Sequence, residues 1–221
     1  MALSVITGAN RGIGLALCKA IKETGATVLA ACRHSSPELD ELGVEVVTGV
    51  DVATKEGVKL LQAAVSERPI ELLINNAGIL LWGDELGKID AEGVLRQFEV
   101  NALGPVRVTE ALLANLIPGA KLAFITSRMG SMGDNGSGGH YGYRMSKAAL
   151  NSAAVSFAKD LEKKQIAVAI LHPGMVSTEM IGGQGQIEPE EAAAGLVQRI
   201  NELNLKNSGS FWHQNGQILP W

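Results

Sequence analysis

The sequence predicts an α/β fold, a single-domain Rossmann-like doubly wound parallel sheet flanked by helices on both faces. Three observations carry that prediction. Six short apolar runs of strand length alternate with longer segments of helical period along all 221 residues. The runs are apolar at nearly every position rather than at alternate ones, which fits strands buried on both faces. No low-complexity linker or internal repeat divides the chain, so 1–221 reads as one domain. Alternating β and α elements then imply parallel strands joined by right-handed crossovers.

The first run, residues 3–7, leads into Thr7-Gly8-Ala9-Asn10-Arg11-Gly12-Ile13-Gly14 and a helix over 13–24. Glycines at such a turn let a phosphate pair approach the backbone and meet the N–H groups of a helix start. The spacing is G-x-x-x-G-x-G rather than G-x-G-x-x-G, and the lysine of a P-loop is absent. An ordinary glycine-rich turn is the competing reading of this motif alone. The second strand, 27–32, ends at Cys32-Arg33. An NAD-binding version of the fold carries an acid about 20 residues beyond the glycines, and Cys32 stands there instead. With Arg33 beside it and Arg11 in the first turn, a ribose 2′-phosphate fits better, because guanidinium matches phosphate geometry. The expected cofactor is therefore NADP(H), with two solvated surface arginines as the alternative.

A third strand, 44–50, delivers Asp51-Val52, and a helix follows over 55–67. The fourth strand, 72–75, ends in Asn75-Asn76-Ala77-Gly78, and a helix over 91–116 carries Asn101. The fifth strand, 122–126, runs into Ser127 and a loop, 128–140, that holds five glycines. Next come a helix over 141–164 and a sixth strand, 168–171, followed by Pro173-Gly174. Three more glycines fall in the loop 181–186. Pro189 beside Glu190 and Glu191 marks a helix start, since proline tolerates the first turn and acids favour it; that helix is predicted over 190–203. Residues 209–212 and 217–219 can add a last strand. Ligands of such sheets bind beyond the carboxyl ends of the strands, so both glycine-rich loops are expected to face one as pliable walls.

Composition narrows the function classes. A net charge of −4 without a lysine or arginine run argues against a nucleic-acid partner, which needs a concentrated basic surface. Cys18 and Cys32 cannot make a disulfide framework and lie in no metal-ligand cluster, so both are expected in the core and no metal is expected. No signal peptide and no membrane span are evident, which predicts a cytoplasmic protein without a membrane partner.

Chemistry enters at Tyr143-Arg144-Met145-Ser146-Lys147. Tyr143 and Lys147 are four apart on the predicted helix and share a face. A tyrosine of pKa near 10 is a poor acid–base catalyst at neutral pH, and a cation beside it favours the phenolate. An amphipathic helix with a snorkelling lysine gives the same spacing.

Order gives these motifs their force. Thr7–Gly14, Asn75-Asn76-Ala77-Gly78, Asn101, Ser127, Tyr143/Lys147 and Pro173-Gly174 follow one another, each at its own strand or helix. Over essentially the whole chain this resembles the short-chain dehydrogenase/reductase family. Ile125-Thr126-Ser127-Arg128-Met129-Gly130-Ser131, Tyr141-Gly142-Tyr143-Arg144 and the closing Ile218-Leu219-Pro220-Trp221 look like its branch of C-factor and Sniffer-type carbonyl reductases.

The resemblance implies a set of roles. Tyr143 is the general acid; Lys147 holds the nicotinamide ribose and lowers the tyrosine pKa; Ser127 hydrogen-bonds the substrate oxygen. Asn101 interrupts its helix through a bound water and links Lys147 to solvent as a proton relay. Gly8, Asn10, Arg11, Gly12, Ile13 and Gly14 take the pyrophosphate end, with Arg33 on the 2′-phosphate and Asp51 and Val52 on adenine. Asn75, Ala77 and Gly78 back the cofactor, and Pro173, Gly174, Val176 and Thr178 fix its carboxamide and pyrophosphate. Ser131, 12 residues before Tyr143 where Ser127 is 16 before it, is a rival for the serine role. The expected activity is NADP(H)-dependent reduction of a ketone or aldehyde, with a small carbonyl or alcohol substrate. The alternative is a dinucleotide-binding signalling protein of C-factor type; a sugar-nucleotide epimerase needs a larger substrate domain. His140 and His172 are read as structural or surface residues, and Tyr141 as packing or substrate lining. Trp82, Met129, Met132, Met175 and Met180 are candidates for an apolar wall, and the short stretch after Thr178 predicts an open site. The helices 91–116 and 141–164 are the expected homodimer faces.

Overall fold

The computed structural model describes residues 2–221. Seven parallel strands form one sheet in the order β3-β2-β1-β4-β5-β6-β7. They are β1 Leu3–Thr7, β2 Thr27–Ala31, β3 Glu45–Val47, β4 Ile70–Asn75, β5 Leu116–Ile125, β6 Ala167–His172 and β7 Phe211–His213. The helices are α1 Gly12–Glu23, α2 Pro37–Glu41, α3 Lys55–Val65, α4 Ala91–Phe98, α5 Gly104–Ala111, α6 Tyr141–Asp160 and α7 Pro189–Glu202. The chain is thus the doubly wound Rossmann-like sheet that the β–α alternation predicts.

Alternate side chains of each strand feed two separate cores. Val5, Leu29, Leu73, Leu122, Phe124 and Val168 join one cluster; Ile6, Ala30, Ile74, Ala123, Ala169 and Leu171 join the other. That is the period-two geometry of a sheet covered on both faces. Both cysteines are buried, and no metal-binding cluster occurs among the described residues. No helix among them is long and apolar enough to cross a membrane.

Several boundaries differ from the sequence expectation. The helix predicted over 91–116 is α4, a π-helical turn Glu99–Leu103 and α5, which stops at Ala111. Helical apolar spacing persists into Leu116, but that residue pairs with Ile70 as the start of β5. Asn115 anchors the switch, its Nδ2 donating to Ser66 O (2.8 Å) and Arg68 O (2.9 Å). Strand pairing therefore overrides local periodicity there. The third strand is shorter than 44–50 because Gly49, at φ +77°, turns its N–H to Arg33 O. The short helix α2 was absent from the expectation; Ser36 caps it by accepting from Leu39 N at 3.2 Å.

Candidate active site and cofactor cleft

A cavity of about 860 Å³ runs along the carboxyl ends of the strands, from the β1 and β2 turns to α6. Its phosphate end is built by close backbone approach. A Cβ on Gly14 would sit 2.1 Å from Gly8 O, and one on Gly8, at φ +66°, 2.8 Å from Ala77 Cα. Thr7 Oγ1 accepts from Asn76 N and Ala77 N at 3.1 Å each, and Asn76 Nδ2 donates to Thr7 O and Gly8 O. The β1 and β4 turns are thereby one unit. α1 starts at Gly12 with no side-chain cap and no acid in its first turn. Its free N–H groups and positive dipole end suit an anion. This cradle fits a dinucleotide pyrophosphate.

Gly8, Asn10, Arg11, Gly12, Ile13, Gly14, Arg33, Asp51, Val52, Ala77 and Gly78 all line the cavity. Arg33 is exposed there. Arg11 does not converge on Arg33 as expected: its guanidinium meets Glu179 across the cleft at 2.5 Å. Both partners are solvent-exposed, at 63% and 75%, so an incoming phosphate displaces that pair at little cost. Asp51 accepts from Ala53 N at 2.9 Å and faces Arg96 at 3.4 Å. Asn75, expected to back the cofactor, does not line the cavity. It is buried beneath the cavity, its Nδ2 donating to Thr109 Oγ1 at 3.1 Å, and its neighbour Asn76 lines the wall.

At the other end Ser127, Tyr143, Lys147, Pro173, Gly174, Val176 and Thr178 share the cavity wall. Ser127 neighbours the Tyr143 hydroxyl and draws its pKa down. Ser131 faces elsewhere: its Oγ caps a local turn by accepting from Asp134 N at 3.0 Å. Lys147 Nζ lies 5.8 Å from the Tyr143 ring centroid and donates to Ile125 O at 3.0 Å. The expected depression of the tyrosine pKa by Lys147 is not what the packing gives. Surrounding protein pushes the Tyr143 hydroxyl up to about 12, with the neighbouring Ser127 pulling the other way. Burial pushes the Lys147 ammonium down to about 8. The site holds a phenol and an ammonium at neutral pH.

Asn101 is fully buried and does not line the cavity. Its Oδ1 accepts from Ile79 N at 2.8 Å; its Nδ2 donates to Ile79 O at 2.8 Å and Ser146 Oγ at 3.0 Å. It reaches Lys147 only across Gly78, whose added Cβ would stand 3.2 Å from Asn101 Oδ1 and 3.6 Å from Lys147 Nζ. The helix interruption at Asn101 takes the form of the π turn.

The glycine-rich walls are tied rather than loose. Ser177 N donates to Ile187 O (2.8 Å) and Gln186 N to Met175 O (2.7 Å), and a Cβ on Gly185 would strike Ser177 N. In the other loop Gly133 N donates to Trp221 O, and Arg144 holds the carbonyls of Gly138, Gly139 and Met129. Only Arg128, Met129 and His140 of residues 128–140 reach the cavity. Trp82, Met175 and Met180 also line it, whereas Met132 and Tyr141 do not.

Other lining residues escaped the sequence reading. His140 and His172, read as structural or surface residues, are on the wall, together with Arg96, Arg128 and His213. Asp84, the one buried residue of 81–90, was also missed. It accepts from His140 N through its carbonyl and from Gly142 N through its carboxylate, closing the first turn of α6. An acid 58 residues upstream gives no local capping signal.

The sequence profile of the short chain dehydrogenase family matches residues 3–188. The chain belongs to that family. It is 41% identical over the full length of both chains to 1-hydroxy-2-glutathionyl-2-methyl-3-butene dehydrogenase of Rhodococcus sp. AD45. It is 43% identical to C-signal of Myxococcus xanthus, across 69% of this chain and 93% of that one. A carbonyl reductase from Pseudomonas aeruginosa PAO1, solved in complex with NADP, superposes over 100% of both chains with TM-score 0.89 and 36% identity.

Proposed function

We propose that this oxidoreductase is an NADP(H)-dependent carbonyl reductase with Tyr143 as general acid and Arg33 reading the 2′-phosphate. The observation that carries the reading is that Ser127, Tyr143 and Lys147 line one cavity together with the phosphate cradle. NADPH bound in the cleft supplies the hydride. Tyr143 gives its proton to the carbonyl oxygen as negative charge develops there, and a phenol held protonated is suited to that direction. Ser127 donates to the same oxygen, placed in advance by the turn in which it also accepts from Met129 N. Lys147, its ammonium donating to Ile125 O, would hold the nicotinamide ribose.

The Rhodococcus relative supports the same chemistry run towards alcohol oxidation. A cytoplasmic homodimer completes the reading, with Leu95, Leu103 and Met145 as exposed apolar residues on the two expected helical faces. Changing Tyr143→Phe is predicted to leave NADPH binding intact and to lower kcat by about 10²–10⁴-fold. Steady-state turnover with a panel of ketones and aldehydes, alongside NADPH fluorescence titration, checks this; wild-type turnover by the variant would remove Tyr143 from the mechanism. The similarity to C-signal supports one second reading, a dinucleotide-binding signalling protein. NADPH binding with no turnover across the panel would favour it.

A further inference from the structure

The cofactor cradle and the Ser127–Tyr143–Lys147 wall leave two cations in the cavity without a task, Arg96 and Arg128, and Arg96 is held between Asp51 and Glu99. Arg128 lines the cavity one residue beyond Ser127. Its Nε meets Asp134 Oδ2 at 3.0 Å, and its Nη2 makes a long 3.4 Å hydrogen bond to the neutral Gln217 Oε1. Nη1 has no partner among the described residues. A guanidinium carries five N–H donors, so a carboxylate at Nε leaves the end of the fork open to a second anion. Asp134 aims the fork without filling it.

His213 stands on the same wall, at the end of β7. Its Nδ1 accepts from Asn215 N at 3.1 Å, which puts the ring proton on Nε2. Nε2 makes no hydrogen bond among the described residues and would be 3.7 Å from a Cβ on Gly174. The His213 and His172 rings meet edge to face with centroids 5.0 Å apart. Burial, with the Arg128 charge adding to it, keeps both imidazoles neutral at pH 7. His213 is therefore an N–H donor, and Gln217 links it to the cation: His213 N donates to Gln217 O while Arg128 reaches Gln217 Oε1.

The sheet order separates this corner from the phosphates. Arg128 follows β5, three strand positions from Arg33 after β2, and His213 ends β7, four positions from the β1 turn. At about 4.8 Å per strand those gaps are roughly 14 and 19 Å. The acids on the cavity wall, Asp51 and Glu179, face Arg96 and Arg11, so neither neutralises Arg128.

We propose that Arg128 and His213 form a subsite for a carboxylate on the substrate, so that the preferred carbonyl compounds are anionic ones. This rests on the carbonyl reductase reading and deepens it. The test titrates 4-phenylbutanoate and its methyl ester, neither of them a ketone or aldehyde, into the full-length protein by calorimetry, with and without NADPH. The acid is expected to bind about tenfold or more tightly than the ester, the scale of a charge-assisted hydrogen bond. Arg128→Gln should erase that difference while leaving ester binding and NADPH affinity unchanged. Arg128→Lys should keep part of it, because the charge remains while the planar fork is lost. Undetectable binding of the acid, equal affinity for acid and ester, or a loss common to both ligands in Arg128→Gln overturns the subsite. The ketone pair 4-oxo-4-phenylbutanoate and its methyl ester then reads kcat/KM. If neither is turned over while the acid preference in binding persists, the reductase reading falls and the subsite stands.

Discussion

Burial acts on three ionisable groups at the Tyr143 end of the cavity. It raises the Tyr143 hydroxyl to about 12, lowers Lys147 to about 8 and lowers His172 to about 3. Each shift disfavours the charged form. For tyrosine that keeps the transferable proton in place; for lysine it leaves the ammonium mostly intact at pH 7. His172 has a consequence for stability. Its native pKa lies below the unfolded value of about 6.5, so between those values the unfolded chain binds more protons. Stability is then present above pH 6.5 and is lost as pH falls towards 3. The loss from this group by pH 5 is roughly 2 kcal/mol. His172→Asn should flatten that acid limb in urea unfolding series at pH 7, 6 and 5. An unchanged difference between pH 7 and pH 5 in the variant would acquit His172. Residues such as Tyr143 and Lys147 are legible in the sequence because they act within one helical turn. His172 and His213 are not, since only β6–β7 pairing brings their rings together.

At the scale of elements, α6 carries the proposed catalytic pair, and its first turn is held from outside. His140, the residue before the helix, has φ +50° and gives no side-chain cap. Asp84 supplies the missing acceptor to Gly142 N, next to Tyr143. Gly142 lets the helix meet α4: its added Cβ would lie 3.0 Å from Val94 Cα and close to Gln97 Nε2. Asp84→Ala should therefore cost about 0.5–2 kcal/mol, the range for losing an N-cap, and lower kcat as Tyr143 loses its fixed position. Asp84→Asn, which still accepts a hydrogen bond, should recover most of both. Denaturant midpoints measured with kcat for the two variants decide the matter, and an Ala variant with wild-type kcat would confine Asp84 to stability. Local signals explain what could be read here. Pro189 with its acids marked α7 to within a residue, whereas the end of α5 depended on the Ile70–Leu116 pairing 46 residues apart. The π turn at Asn101 depends likewise on Ile79 and Ser146.

For the whole molecule, the cavity joins segments from nearly every strand end, so its occupation couples to global stability. The phosphate cradle was legible because close approach demands glycine, and glycine is visible in any sequence. The Arg11–Glu179 pair was not, because it spans the cleft between the β1 turn and the turn after β6. That pair leaves Arg33 as the exposed cation of the cavity wall with no ion-pair partner among the described residues, and so the proposed discriminator between cofactors. A ligand at a hundred times its Kd stabilises the native state by about 2.7 kcal/mol, and for a chain of this size each kcal/mol moves Tm by about 2–4 °C. NADPH should thus raise Tm by roughly 5–10 °C. Arg33→Ala removes a charged hydrogen bond of about 1.5–3 kcal/mol. At the same NADPH concentration its thermal shift should fall to less than half. The smaller shift given by NADH, which has no 2′-phosphate, should be the same in both proteins. Thermal unfolding scans of the two proteins with each nucleotide measure this directly, and an equal loss for NADH and NADPH would mean that Arg33 reads something other than the phosphate.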